Sequence, residues 1–551
     1  MAMKLIPGLP TRDARKGELI GVDLEMFGQV EHRLHRPHGT FALLSIAMGD
    51  NIFQIDNSHD VREALKRIKA GTWAFHNALY DIRQLRPFVS IYERAIWDTM
   101  LAEQSMWGGF YKNYALDALS LRYLHRFMEK KYQKEFAART TSSPAMRRYA
   151  ALDAWTTLRI AEMQKDMEGL DSYRRVDLPM IWPVMEMPGI RIDIKKWLEL
   201  AETFKKKAIA IREELGFNPG SPDQVKEFVW KKAKIHLENA QEETLLVYEG
   251  NPVIDAILDY KTYATAASRW GAKWIETFVE EDGLVYPDIH INGTETGRFA
   301  YRNPNMQQVP KRKEEMKAYR ECIIASPGRV LLMSDANQQE PRIMAYLSGD
   351  TELIGIFKRK EDIHLAVTRL IFHAPRMVKS DKRRLIGKTI NLGTSYGLSA
   401  YGLALRLGIE QDDAQEFLDA YFKRFRGVKT WINLSRAHAW QDGYIKSGLG
   451  RKVWINPYSR QWENNANNAP IQSTAAEMTK LAILHIYHQE KQEFYVNLQV
   501  HDEIDCDVPK MFVSYYRKIV KDAWMSAARE LIPTVPFSVD FTTGARWSEK
   551  E

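Results

Sequence analysis

Asp335 ends the apolar run Val330-Leu331-Leu332-Met333-Ser334, and Asp502 sits in the tip His501-Asp502-Glu503 between two strand-like segments. Two carboxylates delivered this way can share a pair of divalent ions roughly 3.5–4 Å apart, which activates a hydroxyl nucleophile and neutralises a leaving pyrophosphate. Arg384 and Lys388, four residues apart on a helical pattern, supply the opposite charge and can grip the phosphates of a nucleoside triphosphate. Far upstream, Asp23, Glu25, Asp81 and Asp153 form a second carboxylate set. The spacing predicts two metal-dependent phosphoryl-transfer sites in one chain.

The elements that must position the upstream acids are legible. Glu18 to Glu25 is an apolar strand in which Asp23 and Glu25, two apart, point to the same side. Phe41 to Met48 turns at Gly49-Asp50-Asn51 and returns through Ile52 to Ile55, a hairpin pattern. Thr72 to Phe75 reads as a short buried strand ending at His76-Asn77 and feeding a helix with Asp81, a usual place for site residues. Met146 to Gln164 reads as a helix with Tyr149 and Asp153 at i and i+4, so a phenol and a carboxylate share one face. Taken singly, an Asp-x-Glu pair is more often a polar outer face, and Tyr-x-x-x-Asp occurs in many helices by chance. In this order, Asp23 and Glu25, Asn77 and Asp81, Tyr149 and Asp153 resemble the three motifs of the DnaQ-like, ribonuclease H-like 3′→5′ proofreading exonucleases. The resemblance implies that the four carboxylates bind two metals, that Tyr149 orients the attacking water, and that Asn77 meets DNA.

Downstream, Pro179-x-x-x-Pro183 and Pro188-Gly189 mark a boundary. Trp197 to Leu215 and Asn251 to Trp274 read as two long helices separated by a polar, basic middle, suited to an arm along a duplex or to a plain helical connector. Arg384, Lys388 and Leu392 step by four along a helix beginning near Asp381, with Tyr396 a turn further on and Gly393 and Gly397 removing bulk beside them. Asn468-Ala469-Pro470-Ile471-Gln472 precedes a helix through Lys480, and Phe494 to Val500 with Ile504 to Val508 alternate as a half-buried hairpin around the acidic tip.

Thr296-Gly297-Arg298 with Asn303-Pro304-Asn305-Met306-Gln307, the run ending in Asp335, and Arg384-x-x-x-Lys388-x-x-Asn391-x-Gly393-x-x-Tyr396-Gly397 resemble motifs of the bacterial DNA polymerase I family, family A. That resemblance implies a right-hand polymerase with thumb, palm and fingers. Asp335 and Asp502 would bind metal, with Glu503 supportive. Arg384, Lys388, Leu392, Tyr396, Glu340, His364 and Gln338 would surround the incoming nucleotide, Glu340 as a gate against ribose, while Arg298, Asn468, Gln472 and His501 would contact primer-template. Asn464 stands where the family more often has arginine, and Leu392 where many relatives have Phe or Tyr.

Composition bounds the rest. At 551 residues the chain suggests about three or four structural units. Apolar residues at 45% and charged at 27% are ordinary for a globular protein, and no run approaches the ~18 apolar residues of a membrane span. The net charge of +7 is modest for this length, but basic residues bunch in Lys311-Arg312-Lys313, Lys358-Arg359-Lys360 and Lys382-Arg383-Arg384, which suit a polyanionic partner, although one run alone reads as a solvated helix face. Two distant cysteines, Cys322 and Cys506, argue against a disulfide framework or zinc site and fit a reducing cytoplasm, and no targeting segment is visible.

The expected architecture is multidomain α/β and α+β. Residues 1–175 are expected to form a ribonuclease H-like exonuclease, 176–290 a connector and thumb, 291–345 the first part of the palm, 346–455 the fingers and 456–551 the second part of the palm. The expected activity is DNA-templated DNA polymerisation with 3′→5′ proofreading. It would use two Mg2+ per site, with Mn2+ able to substitute, and take primer-template DNA and dNTPs as partners, in a monomer with no membrane association and no identifiable processivity partner. Because the chain starts at the exonuclease strand, a replicative, phage-like enzyme is expected. The alternatives are a repair or organellar polymerase of the same family, or a nuclease whose second half only grips DNA.

Overall fold

Nine residues of strand with buried apolar positions on both sides of two acids form the central strand of the first sheet in this computed structural model, which describes residues 3–28, 39–90, 94–310, 314–395, 397–489 and 494–550. That sheet comprises β1 (Lys4–Pro7), β2 (Leu19–Phe27), β3 (Thr40–Met48), β4 (Asn51–Ile55), β5 (Thr72–Phe75) and β6 (Ile96–Asp98), in the order β1-β4-β3-β2-β5-β6. The β2–β3–β4 meander is antiparallel, as the hairpin pattern requires, while β5 and β6 continue parallel to β2 through helical crossovers. The helix Pro144–Gln164, capped by Ser143 with proline at its first position, packs across β2, β3 and β4.

The second sheet carries the other acids. Its strand order is Tyr495–Val500, Glu503–Pro509, Arg329–Ala336, Val539–Gly544, all antiparallel. Here the expectation of a half-buried hairpin fails. Nearly every residue from Val496 to Val508 described in these two strands is buried, polar Asn497, Gln499 and Asp505 included. Helices Trp462–Gln489 and Val513–Leu531 pack on this sheet, so alternation in the sequence reflects buried polar groups and not a wet face.

Two further expectations are corrected. The segment Asn468 to Gln472 does not precede a helix but lies inside the helix Trp462–Gln489, with Pro470 in its interior. Proline there removes the N–H that would bond the Ala466 carbonyl, and the Ser435 hydroxyl donates to that oxygen instead at 2.7 Å. The polar middle between the helices Ile194–Leu215 and Pro252–Arg269 is itself helical, Pro222–Ala233 and Glu242–Leu246 enclosing a separate small core of Val225, Val229, Leu245, Ile254 and Ile257. Among the described residues no helix is long and apolar enough to cross a membrane.

One buried ionic cluster ties the two halves together. Asp177, in the turn of helix that follows the first sheet, accepts from Arg451, from Lys480 Nζ at 2.7 Å and from Asn292 Nδ2 at 3.0 Å. The Arg451, Lys480 and Asp177 side chains are at most 1% exposed. Burial draws Lys480 down to about 8 against the pull of Asp177; burial alone would raise Asp177, but its two cations more than offset this and hold its carboxyl below the usual range. Gly297, at φ +76° in the turn before the strand Ala300–Arg302, lets the chain approach this cluster, since a Cβ there would lie 2.6 Å from Arg451 Cζ.

Removing one member of a buried ion cluster leaves uncompensated charge. Asp177→Asn is expected to lower stability by about 3–5 kcal/mol. Glu18→Gln, which breaks the exposed Arg12–Glu18 pair, should cost less than about 1 kcal/mol. Urea midpoints of the two variants against wild type check the contrast; equal shifts contradict it.

Candidate active sites

On β2 the two-residue period puts Asp23 and Glu25 on one side of the strand, and the helix Pro144–Gln164 brings Asp153 over them. Ligand oxygens of Asp23, Glu25 and Asp153 all lie within 4.8 Å of one another. Asp81, buried in the helix Ala78–Leu85, accepts the Leu24 N–H at 3.1 Å, which fixes it against the same strand. Tyr149 hydrogen-bonds Asp153 from one turn earlier. Burial, and no salt partner, pushes the Asp23 carboxyl up to about 7. Burial followed by the neighbouring carboxylates raises Glu25, Asp81 and Asp153 well above the usual carboxylate range. Asp23 Oδ2 and Asp153 Oδ1 are buried without a hydrogen-bond partner. Oxygens converging with repelling charge and unfilled lone pairs fit a hard divalent cation. Asn77 stands at the start of the Asp81 helix in left-handed backbone (φ 72°), its amide donating to Asp98 Oδ1 at 3.4 Å.

In the second sheet Asp335 is paired directly opposite Glu503 on one side and Asp540 on the other. The Ala336 N–H donates to the Asp502 carbonyl at 3.0 Å, which locks the tip of the hairpin beside the end of the Asp335 strand. Glu503 is buried and accepts from Trp547 Nε1 at 3.2 Å, and the Arg320 guanidinium stacks 3.9 Å over that indole. Neither Trp547 nor Asp540 was indicated by spacing, since their register partners lie more than forty residues away in β-pairing or hydrogen-bond terms. Gln338 and His501 share the left-handed backbone of Asn77, at φ 54° and 58°. Non-glycine residues held there store roughly 1–3 kcal/mol of strain each, which persists where surrounding structure fixes a functional turn.

The helix Arg384–Ser395 packs on Ile363–Ile371 so closely that a Cβ on Gly387 would overlap Thr368 Oγ1 and the His364 carbonyl. Asp362 caps the second helix by accepting the Leu365 N–H at 3.0 Å and also holds Arg384 Nη2 at 2.5 Å. His364 is buried beside them; burial first, then Arg384 and Lys388, push its imidazole down to about 4, against Asp362. Lys388 is exposed and Leu392 half-buried on the same helix. Tyr396 and the run Lys311-Arg312-Lys313 lie outside the described residues. Arg298 Nη2 pairs with Glu340 Oε1 at 2.5 Å, a contact between two predicted site residues that the sequence did not indicate. Asn468 and Gln472 are half-buried along the long helix, and Asn464 lies against Gly397.

Residues 194–549 match the family model for DNA polymerase family A, and residues 12–168 that for a 3′-5′ exonuclease. The DNA polymerase I of Chloroflexus aurantiacus is 30% identical over 439 residues, 73% of this chain and 46% of that protein. That of Pseudomonas aeruginosa is 28% identical over 526 residues, 88% of this chain and 57% of that protein. The thermostable DNA polymerase I of Thermus aquaticus is 29% identical over 406 residues, 69% and 48%. The chain thus spans about half the length of the curated relatives it matches. A solved structure, the POL domain of Pol1 from M. smegmatis in complex with DNA primer-template and dNTP, superposes with a TM-score of 0.83 at 25% identity over 97% of this chain and 96% of that one.

With carboxyls raised in this way, a cation entering the first site competes with protons. Calcium binding should therefore release protons and tighten as pH rises from about 6 to about 8. Calorimetry in two buffers of different ionisation enthalpy measures the release, and Asp23→Asn with Glu25→Gln should abolish most of it. Binding without proton release would contradict the assignment.

Proposed function

The chain belongs to DNA polymerase family A, and on that premise we propose that it extends a primer 3′ end on a DNA template and removes mispaired ends at a separate 3′→5′ exonuclease site. The observation that carries this reading is the pairing of the Asp335 strand with the hairpin whose tip holds Asp502, one sheet away from the converging Asp23, Glu25 and Asp153. Mg2+, with Mn2+ able to substitute, would be held by Asp335 and Asp502 at one site and by Asp23, Glu25, Asp81 and Asp153 at the other, supplying charge neutralisation and nucleophile activation.

The chain's own residues do the rest. Arg384 and Lys388 bind the triphosphate, Arg384 exchanging its Asp362 partner for phosphate oxygens in the same charge-assisted geometry. His364 is neutral at pH 7 and donates a hydrogen bond there without adding charge. Gln338, Leu392 and Tyr396 complete the nucleotide's surroundings, and Glu340 fills the space a ribose 2′-hydroxyl needs. Glu503, held by Trp547, steadies the acidic tip. Arg298, Asn468, Gln472 and His501 read the primer-template through acceptors that every correct pair presents in the minor groove. At the exonuclease site Tyr149 orients the attacking water through Asp153, and Asn77 meets the strand end.

The five segments with boundaries at 175, 290, 345 and 455 are read as exonuclease, thumb, palm, fingers and palm, in a monomer working in the cytoplasm on DNA and dNTPs.

Because each acid set is complete on its own sheet, Asp502→Ala should abolish extension and spare primer degradation, while Asp23→Ala with Glu25→Ala does the reverse. Primer assays with and without dNTPs read both, and loss of both activities in either folded variant would sink the two-site reading. Glu340→Ala removes the gate and frees Arg298 from its ion pair, so ribonucleotide incorporation should rise by about tenfold or more, the worth of ~1.4 kcal/mol. Single-turnover kinetics with matched dNTP and rNTP check this; an unchanged ratio assigns the gate elsewhere.

A further inference from the structure

Beside the Asp335 strand lies a cavity of about 600 Å³, lined among others by Asn337, Gln338, Arg342, Lys360, Asp362, Lys379 and Lys521. Its size falls in the ~300–1,000 Å³ range of small-molecule sites, and its largely apolar wall, with Phe357 and Phe537 in it, also carries the cations Arg342, Lys360, Lys379 and Lys521 against the acids Glu361 and Asp362. It shares Gln338 with the turn after Asp335 and Asp362 with the anchor of Arg384, so it adjoins both halves of the nucleotide site.

The charges in it do not cancel. Glu361 is engaged by Arg359 at 2.7 Å, and Asp362 by Arg384 at 2.5 Å and more loosely by Lys379 at 3.9 Å. Among the described residues Lys360 and Lys521 form no ion pair, and they come from two separate elements, the turn after the helix Thr351–Lys358 and the helix Val513–Leu531. Lys360 belongs to the basic run Lys358-Arg359-Lys360, whose role the nucleotide site does not absorb. The walls are preformed. Arg342 donates to the Asn337 carbonyl at 2.7 Å, to the Pro536 carbonyl and to Ser538 Oγ at 3.2 Å, and its guanidinium lies 4.6 Å over the Phe357 ring. That one side chain pins three sides of the cavity.

We propose that this cavity is the vestibule through which pyrophosphate leaves the polymerase site and enters it in the reverse reaction, with Lys360, Lys379 and Lys521 as its guiding cations. The inference rests on the polymerase reading above. In the forward step the primer 3′ oxygen bonds to the α-phosphorus, the bond to the bridging oxygen breaks, and pyrophosphate departs with that electron pair while the hydroxyl proton passes to solvent. In reverse, a pyrophosphate oxygen attacks the terminal phosphodiester, the 3′ oxygen takes a proton, and a dNTP and a primer one nucleotide shorter result. Either way a polyanion must cross the protein surface away from the bound duplex, and a concave, positively biased passage raises its local concentration.

The test is the full chain carrying Lys360→Glu, Lys379→Glu and Lys521→Glu together, with the triple Lys→Arg variant beside it. The KM for inorganic pyrophosphate in primer pyrophosphorolysis should rise by about tenfold or more in the Glu variant, with a flatter dependence on salt. It should stay near wild type in the Arg variant. The KM for dNTP in extension should change by less than about twofold, and exonuclease rate, which reads folding, should not change. An unchanged pyrophosphate KM, or a dNTP KM that rises in parallel, overturns the vestibule. Wild type that neither extends nor pyrophosphorolyses primers overturns the polymerase reading instead.

Discussion

Burying Asp177 with Arg451, Lys480 and Asn292 is the constraint on which the spatial relation of the two active sites depends. Its four members come from four parts of the chain: the turn after the first sheet, the segment leading toward Asp335, the hairpin Tyr444–Trp454 and the long helix that packs on the second sheet. Desolvating them is costly, and the cost is offset only when all are in place. The cluster therefore acts as a registry device, because a shift of either sheet relative to the other would strand a charge in the interior. Trp454 reinforces the same junction, stacking on Trp107 and donating Nε1 to the Met106 carbonyl at 2.9 Å.

The two sites meet the problem of like charge differently. In the first, burial and the mutual repulsion of four carboxylates raise their carboxyls above the usual range. In the second, Asp335 stands at the end of its strand, half-buried, while the indole of Trp547 satisfies buried Glu503. Like charge in a confined space thus favours the protonated form at one site, while hydrogen bonds arrange the acids of the other.

How much of this was legible in the sequence follows from the range of the interactions. The strand period gave Asp23 and Glu25 a common side, and the helix period paired Tyr149 with Asp153; both are relations within a single element. The strand Thr72–Phe75 and the helix carrying Arg384 were readable for the same reason. What escaped reading depends on partners remote in the chain. Pro470 marked a helix start by local rules, and the Ala466 carbonyl that it leaves without its helical N–H is met by Ser435, 31 residues before Ala466. Arg298 and Glu340 were each read as facing a ligand, and their ion pair spans 42 residues. The wet face expected of the acidic hairpin is covered by helices on either side of it in sequence, which alternation cannot foresee. The helices between Leu215 and Pro252 were missed because their apolar positions serve a small core of their own.

The missing side chain at Gly387 has a mechanical meaning. With no Cβ to hold them apart, the helices bearing Arg384 and His364 are welded along their length, and the Asp362 carboxylate rivets them a second time. Their cationic and imidazole groups form one rigid tooth. Any displacement of one of these helices carries the other with it, so Arg384, His364 and Asp362 keep their mutual spacing wherever the pair goes.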